Sequence, residues 1–261
     1  MKVITSKDNR IYKQCKALGT KKHRDATGLY LVEGEKLVRE ACKVGMAEIV
    51  IAETDHAENI SGYEAKAVLF DNRLFENIAH TETSQGVLAV VRKKTFNWET
   101  FIGAVSEREE GQGNIIVLDR LQDPGNIGTI IRTADAAGYG GVISIKGTGD
   151  IYSPKVVRAA AGSIMRLPIY FAESATETVD ILKKYGKTIV GTALNTDLYY
   201  YDADLSKDTA IVIGNEGNGM SEEFEKNTDI NVKIPMSGSI DSLNAAVAAG
   251  ILMYQSRRDK R

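Results

Sequence analysis

The sequence predicts an α/β protein of two domains, the second built on a mainly parallel sheet. Three observations carry this. The 261 residues exceed one average domain of ~100–200 residues. From Asn114 onward, NIIVLD, GVISI, PIYFA, KTIVGTAL, TAIVIGNE and INVKIP alternate with helical segments and are apolar throughout. Strands of that kind belong to a parallel sheet covered on both faces. Before them lies SEREEGQGN, charged and Gly-rich, the composition of a linker.

Taken in order, the front block begins with a basic helix-like stretch, Asn9 to Leu18. The short apolar runs LYLV, AEIVIA, AVLF and GVLAVV then read as strands, with EKLVREACKVG and DNRLFENIAH as helices between them. The expected layout is a small α/β domain over residues 1–95, a linker over 96–113 and a larger domain over 114–261. In the larger domain, Ser153-Pro154 sets a cap before a proline at the first helical position, and Ser174 to Glu177 forms a capping box. LDRLQDPGNIGTIIRTADAAG, Leu118 to Gly138, runs from a strand end through a Pro-Gly turn into a helix. Asn126 stands at the start of that helix, where asparagine is a favoured cap, and Arg132 follows six residues later.

Composition narrows the classes of function. No apolar run approaches the ~20 residues of a membrane span. The start, MKVITSKDNR, has no apolar signal core, so a cytoplasmic protein is expected. Cys15 and Cys42 form no CxxC and read as reduced thiols. No His/Cys/Asp cluster calls for a metal. His23, His56 and His80 are scattered, and His80, before TETSQGV, reads first as a surface-loop histidine, with contact to RNA as the alternative. The net charge of −2 conceals an asymmetry: through Arg24 there are eight basic residues against only Asp8. A basic segment on an acidic body suits a polyanion such as RNA.

In open α/β sheets ligands bind beyond the carboxyl ends of the strands. The segments leaving those ends are RLQDPGNIGTIIR, GTALN, GNEGNGMS and IPMSGSIDSLNAAVAAG, rich in glycine and small hydroxyl residues that let backbone N–H groups approach a ligand. A Rossmann dinucleotide site is excluded by the lack of G-x-G-x-x-G and of an acidic residue ending the second strand; a Walker loop is absent too. Glu216 follows an apolar strand, where a carboxylate is costly unless partnered, by Arg132 or by loop amides. Ser242, Leu243 and Asn244 open the last helix, with Ser242 in the expected place of a cap.

NxGxxxR at Asn126–Arg132, GNEGxGM at Gly214–Met220 and IPMxGxxxSLNAAVAAGI at Ile234–Ile251 together resemble the three motifs of SpoU-type (TrmH-like) RNA ribose 2′-O-methyltransferases of the SPOUT superfamily. The front block, with ITSKDNRIYKQCKAL and GLYLVEGEKLVREA, is similar to the RNA substrate-binding domain often fused to them, a small L7Ae/L30e-like fold. The resemblance implies a methyltransferase domain ending in a trefoil knot, S-adenosyl-L-methionine as cofactor, and a homodimer paired through the knot. It implies a donor crevice formed by Thr192, Ala193, Leu194, Gly214, Asn215, Gly217, Ile234, Pro235, Met236 and Leu243. It casts Arg132 as catalytic, with Asn126, Glu216, Ser242 and Asn244 beside it. A free guanidinium has a pKa above ~12, so the expected role of Arg132 is to bind phosphate and stabilise oxyanion charge. The front domain and the short tail QSRRDKR lean toward 23S ribosomal RNA. The alternatives are a tRNA methyltransferase and a non-catalytic RNA-binding or assembly protein on the same scaffold.

Overall fold

The computed structural model describes residues 3–63, 66–81, 83–108, 113–193, 195–237 and 242–258. In chain order the elements are β1 (Val3–Ile4), α1 (Arg10–Ala17), α2 (Lys21–Thr27), β2 (Leu29–Glu33), α3 (Glu35–Lys43), β3 (Ala47–Glu53), a 3₁₀ segment at Thr54–Ile60, β4 (Ala67–Phe70), α4 (Asn72–Glu76) and β5 (Val87–Arg92). There follow α5 (Trp98–Ser106), β6 (Ile115–Leu118), α6 (Pro124–Ala136), β7 (Gly141–Ile145), α7 (Pro154–Ala159), α8 (Ser163–Arg166), β8 (Ile169–Ala172), α9 (Ala175–Lys184), β9 (Thr188–Thr192), β10 (Thr209–Ile213), α10 (Glu222–Asn227), β11 (Ile230–Val232) and α11 (Ala245–Gln255). They form two units, Met1–Lys94 with Tyr152–Met165, and Thr95–Ile151 with Arg166–Arg261.

The first unit carries a five-stranded sheet in the order β1-β4-β3-β5-β2. Asn9 caps α1 by accepting from the Ile11 N–H, and Gly28, at φ 66°, ends α2 in the left-handed conformation that glycine adopts without strain. Tyr12 and Leu18 beneath α1 pack with Phe70, Phe75, Leu88 and Val90 into one core. The expected strands and helices are all present. β1 and α2 are additional; the polar KKHRDAT of α2 has no apolar period to announce it.

In the second unit six strands run in the order β11-β9-β10-β6-β7-β8, every recorded pairing parallel. All four residues of β6 and all five of β7 and β10 are buried, as strands covered on both faces must be. The segment expected as a linker differs. It holds α5, opened by a capping box between Asn97 and Thr100, whose Phe101, Ile102 and Val105 lie in the core of this unit. A Cβ on Gly141 would fall 2.7 Å from the Phe101 ring, so β7 admits α5 only because glycine stands there. The expected 114–261 domain differs as well. Residues 152–165 belong to the first unit, where α7 packs on β2 and buries Val156 and Val157.

Candidate active site

The site grows from two neighbouring strand ends. β6 and β10 pair in parallel with Leu118 opposite Ile213, so residues 119–123 and 214–221 leave the sheet side by side. Asp119, fully buried, binds both departures: it accepts from the Ser221 N–H at 2.5 Å and from Arg120 Nε at 3.1 Å. Arg120 adopts φ 60°, a conformation costing a non-glycine residue ~1–2 kcal/mol. That turn aims its carbonyl at the amides of Asn215 and Gln122, each 2.9 Å away. Asn215 in turn folds its own loop, its Oδ1 accepting from the N–H groups of Gly217 and Asn218 at 3.0 Å.

Asp123, not Asn126, caps α6, accepting from the Asn126 N–H at 2.8 Å with Pro124 at the first helical position. Asn126 sits inside the first turn, which frees its side chain. Nδ2 donates to Glu216 Oε1 at 3.2 Å, and Oδ1 accepts from Asn244 Nδ2 at 2.8 Å. The cap of α11 is likewise not the expected Ser242 but Asn244, whose Oδ1 accepts from the N–H groups of Ala246 and Val247. One line of hydrogen bonds, Glu216–Asn126–Asn244, thus joins residues from all three motifs.

Glu216 finds its partners among loop amides rather than at Arg132. The N–H groups of Gln122 and Asp123 donate to its two oxygens at 3.1 Å each. Burial alone would raise its pKa, but hydrogen bonds from backbone N–H groups, including those of Gln122 and Asp123, and from the Asn126 amide hold it below the ordinary glutamate value. The carboxylate is therefore ionised at neutral pH.

Beside this line opens a cavity of about 720 Å³. Its walls come from Thr192 and Ala193 after β9, Gly214 to Gly217 after β10, Ile234 and Met236 after β11, and Ser242, Leu243 and Asn244 before α11. Asn126 reaches it from α6. Pro235 is not among the lining residues, Leu194 lies outside the described residues, and so do 238–241 of the third motif. The volume falls within the ~300–1,000 Å³ of small-molecule sites. Ile213, Met220, Val232 and Ala248 add apolar wall, and Lys233 adds a cation. Apolar walls with backbone amides and a few side-chain polar atoms fit a flat heteroaromatic base and a polar tail, as S-adenosylmethionine carries.

Arg132 stands apart. Six residues after Asn126 it lies about 9 Å along α6 and roughly 120° round it. It is exposed, does not line the cavity, and has no hydrogen-bond or ion-pair partner among the described residues. The spacing that suggested a shared site on one helix puts the two side chains on different faces.

The SpoU rRNA Methylase family matches residues 113–254, more than half of the chain. The chain belongs to that family. The MRM3-like substrate binding domain matches residues 9–89 of this SpoU methyltransferase. The whole chain is 35% identical over 259 residues to the 23S rRNA (guanosine(2553)-2′-O)-methyltransferase RlmP of Bacillus subtilis, covering 98% of this chain and 100% of that one. The AdoMet-bound rRNA methyltransferase of Sinorhizobium meliloti superposes with a TM-score of 0.86 at 32% identity, covering 98% and 97% of the two chains. The SpoU methyltransferase AviRb of Streptomyces viridochromogenes, in complex with AdoMet, gives 0.85 at 30% identity over 97% and 98%. The SpoU chain is an RNA 2′-O-methyltransferase, and S-adenosyl-L-methionine is its methyl donor.

Sequence reasoning missed Asp119, Arg120, Gln122 and Asp123, which hold the SpoU motifs in place. A polar run, DRLQD, directly after a four-residue buried strand was the available signal. For Lys233, between Val232 and Ile234 at a strand end, the signal was a lone cation in an apolar run.

Proposed function

We propose that the protein methylates a ribose 2′-hydroxyl of 23S ribosomal RNA in the cytoplasm and acts as a homodimer. The hydrogen-bond line Glu216–Asn126–Asn244 at the cavity edge carries this reading. When bound, the donor supplies a sulfonium methyl open to in-line attack. Asn126, held on both sides of its amide, cannot rotate and gives the ribose a fixed polar neighbour. Positioning of this kind supplies ~7–11 kcal/mol toward a two-substrate barrier. Glu216 keeps the loops after β6 and β10 together, and the exposed Ser242 on the cavity wall offers its hydroxyl to the incoming ribose. Arg132 binds the phosphate beside that ribose and stabilises the negative charge that builds on its 2′-oxygen as the methyl moves from sulfur to oxygen and the hydroxyl proton passes to solvent.

A partner protomer supplies that Arg132, because among the described residues it does not line the cavity of its own chain. On α11 the apolar Val247 (52% exposed) and Tyr254 (54% exposed) stand bare, and Leu243 (37% exposed) precedes them. α11 packs on α6, the helix that carries Arg132. Pairing through this face covers the apolar side chains and brings a foreign Arg132 to each cavity, with the knot expected for the third motif at its centre.

Mapping 2′-O-methyl groups on 23S ribosomal RNA from cells with and without the protein tests the substrate. One methyl present only with the protein is expected; a map unchanged by its loss sinks the reading. Arg132→Ala is expected to lower methyl transfer by at least ~10²-fold while donor affinity holds. Turnover like that of the unaltered protein would remove Arg132 from the mechanism.

A further inference from the structure

Residues 152–165 fall within the methylase match yet pack in the first unit. α7 turns Val156 and Val157 into that unit and leaves Lys155 and Arg158 exposed. The segment carries those two basic residues and no acidic one. Tyr152 anchors it, its ring 4.8 Å from that of Tyr30 and 4.6 Å from Lys93 Nζ.

The wall of a small cavity brings Arg158, Pro154 and Val157 of this segment together with Glu33, His80 and Thr81. Glu33 is already engaged: it accepts from the His80 N–H at 2.8 Å and from the Thr81 hydroxyl. Burial lowers the His80 pKa; Glu33 opposes that, while the charges of Lys16, Arg24 and Arg158 add to it. Arg158 of α7 thus shares a cavity wall with His80 and the hydrogen-bonded Glu33, and Lys16 Nζ of α1 donates to the Asn77 carbonyl at 2.6 Å, three residues before His80. Lys16 and Arg158 are exposed there, and Arg158 has no ion-pair partner among the described residues.

Resting on the reading of the protein as an RNA methyltransferase, we propose that Lys16, His80, Lys155 and Arg158 form an RNA backbone-binding face of the first unit. The segment 152–165 completes that face, so the substrate-binding surface is not confined to residues 9–89. Phosphate contacts of this type set register and orientation on the RNA and carry no base specificity.

The test uses the full chain with Lys155→Glu and Arg158→Glu combined, and Lys183→Glu with Lys184→Glu on α9 as a control of equal charge change. The probe is protein-free 23S ribosomal RNA from cells lacking this protein, titrated across potassium chloride concentrations. The α7 variant is expected to bind at least ~10-fold more weakly, with the slope of log K against log salt shallower by roughly 0.7–0.9 for each phosphate lost. Donor affinity and thermal midpoint stay unchanged, and Arg158→Gln gives a smaller loss in the same direction. RNA affinity and slope equal to those of the unaltered protein, or an equal loss in the α9 control, overturns the proposal. An unaltered protein that binds this RNA yet transfers no methyl group to it sinks the reading of 23S ribosomal RNA as the substrate and leaves the binding face standing.

Discussion

Glu216 ties the loop after β10 to the loop after β6 and to the first turn of α6. It accepts from two backbone N–H groups and one amide, so its charge, not only its shape, is used. Glu216→Gln keeps the volume but turns an NH₂ toward those donors. Methyl transfer is expected to fall by ~10²-fold, the cost of misplacing a group by about an ångström; single-turnover rates on ribosomal RNA check it. The pH dependence follows from the lowered pKa. The stabilisation is complete above the unfolded glutamate value of ~4.3 and is lost as pH falls through the folded value. Thermal midpoints of the unaltered protein should therefore decline over that acid window more steeply than those of Glu216→Gln; parallel curves would show that the carboxylate adds nothing. Asp119 belongs to the same scale. It is fully buried and accepts from Ser221 and Arg120, so Asp119→Ala strands donors in the interior. It should lower stability by ~3 kcal/mol or more and weaken donor binding, read by melting and calorimetry.

At the scale of elements, α11 has one residue with two duties that substitution can separate. Asn244 caps the helix through Oδ1 and holds Asn126 through Nδ2. Asn244→Asp keeps the cap acceptor and loses the donor, so stability should hold while turnover falls. Asn244→Ala loses both, with ~1 kcal/mol of stability gone as well. Equal melting points and equal rates for the two variants would dismiss the split. Gly214→Ala tests the loop after β10: its Cβ would fall 2.3 Å from the backbone of Gly219 and Met220, which cannot move without opening the cavity wall. At least ~10-fold weaker donor binding is expected, about 1.4 kcal/mol. The elements themselves were largely legible, because strands buried on both faces announce themselves as unbroken apolar runs. Asn126, Glu216 and Asn244 were legible as motif residues, but their caps were not: Asp123 and Asn244 outcompeted Asn126 and Ser242 for the first free N–H groups. The α5 helix was hidden by the charged stretch after it, although Trp98, Phe101, Ile102 and Val105 already mark one helical face. Nothing local marks residues 152–165 as part of the first unit, since that depends on which surface Val156 and Val157 meet.

For the whole molecule, the separation of Arg132 from its own cavity leads to the sharpest expectation. Asn126 points into the cavity and Arg132 lies on another face of the same helix, so among the described residues the cation lining the cavity of one chain is Lys233, not Arg132. If α6 and α11 form a two-fold interface, each site combines Asn126, Glu216 and Asn244 of one protomer with Arg132 of the other. Two inactive variants should then rescue each other. Arg132→Ala and Asn126→Ala, each inert as a homodimer, are mixed, unfolded and refolded together. In half of the molecules formed one of two sites is intact, so about a quarter of full activity should return. Sites complete within one chain would return nothing on mixing. The interface itself is tested by Val247→Asp, which sets a charge into the exposed apolar stripe of α11. Sedimentation should give a monomer that binds the donor normally and transfers no methyl group. A monomer of full activity would assign Arg132 to the surface and leave the cavity to work without it.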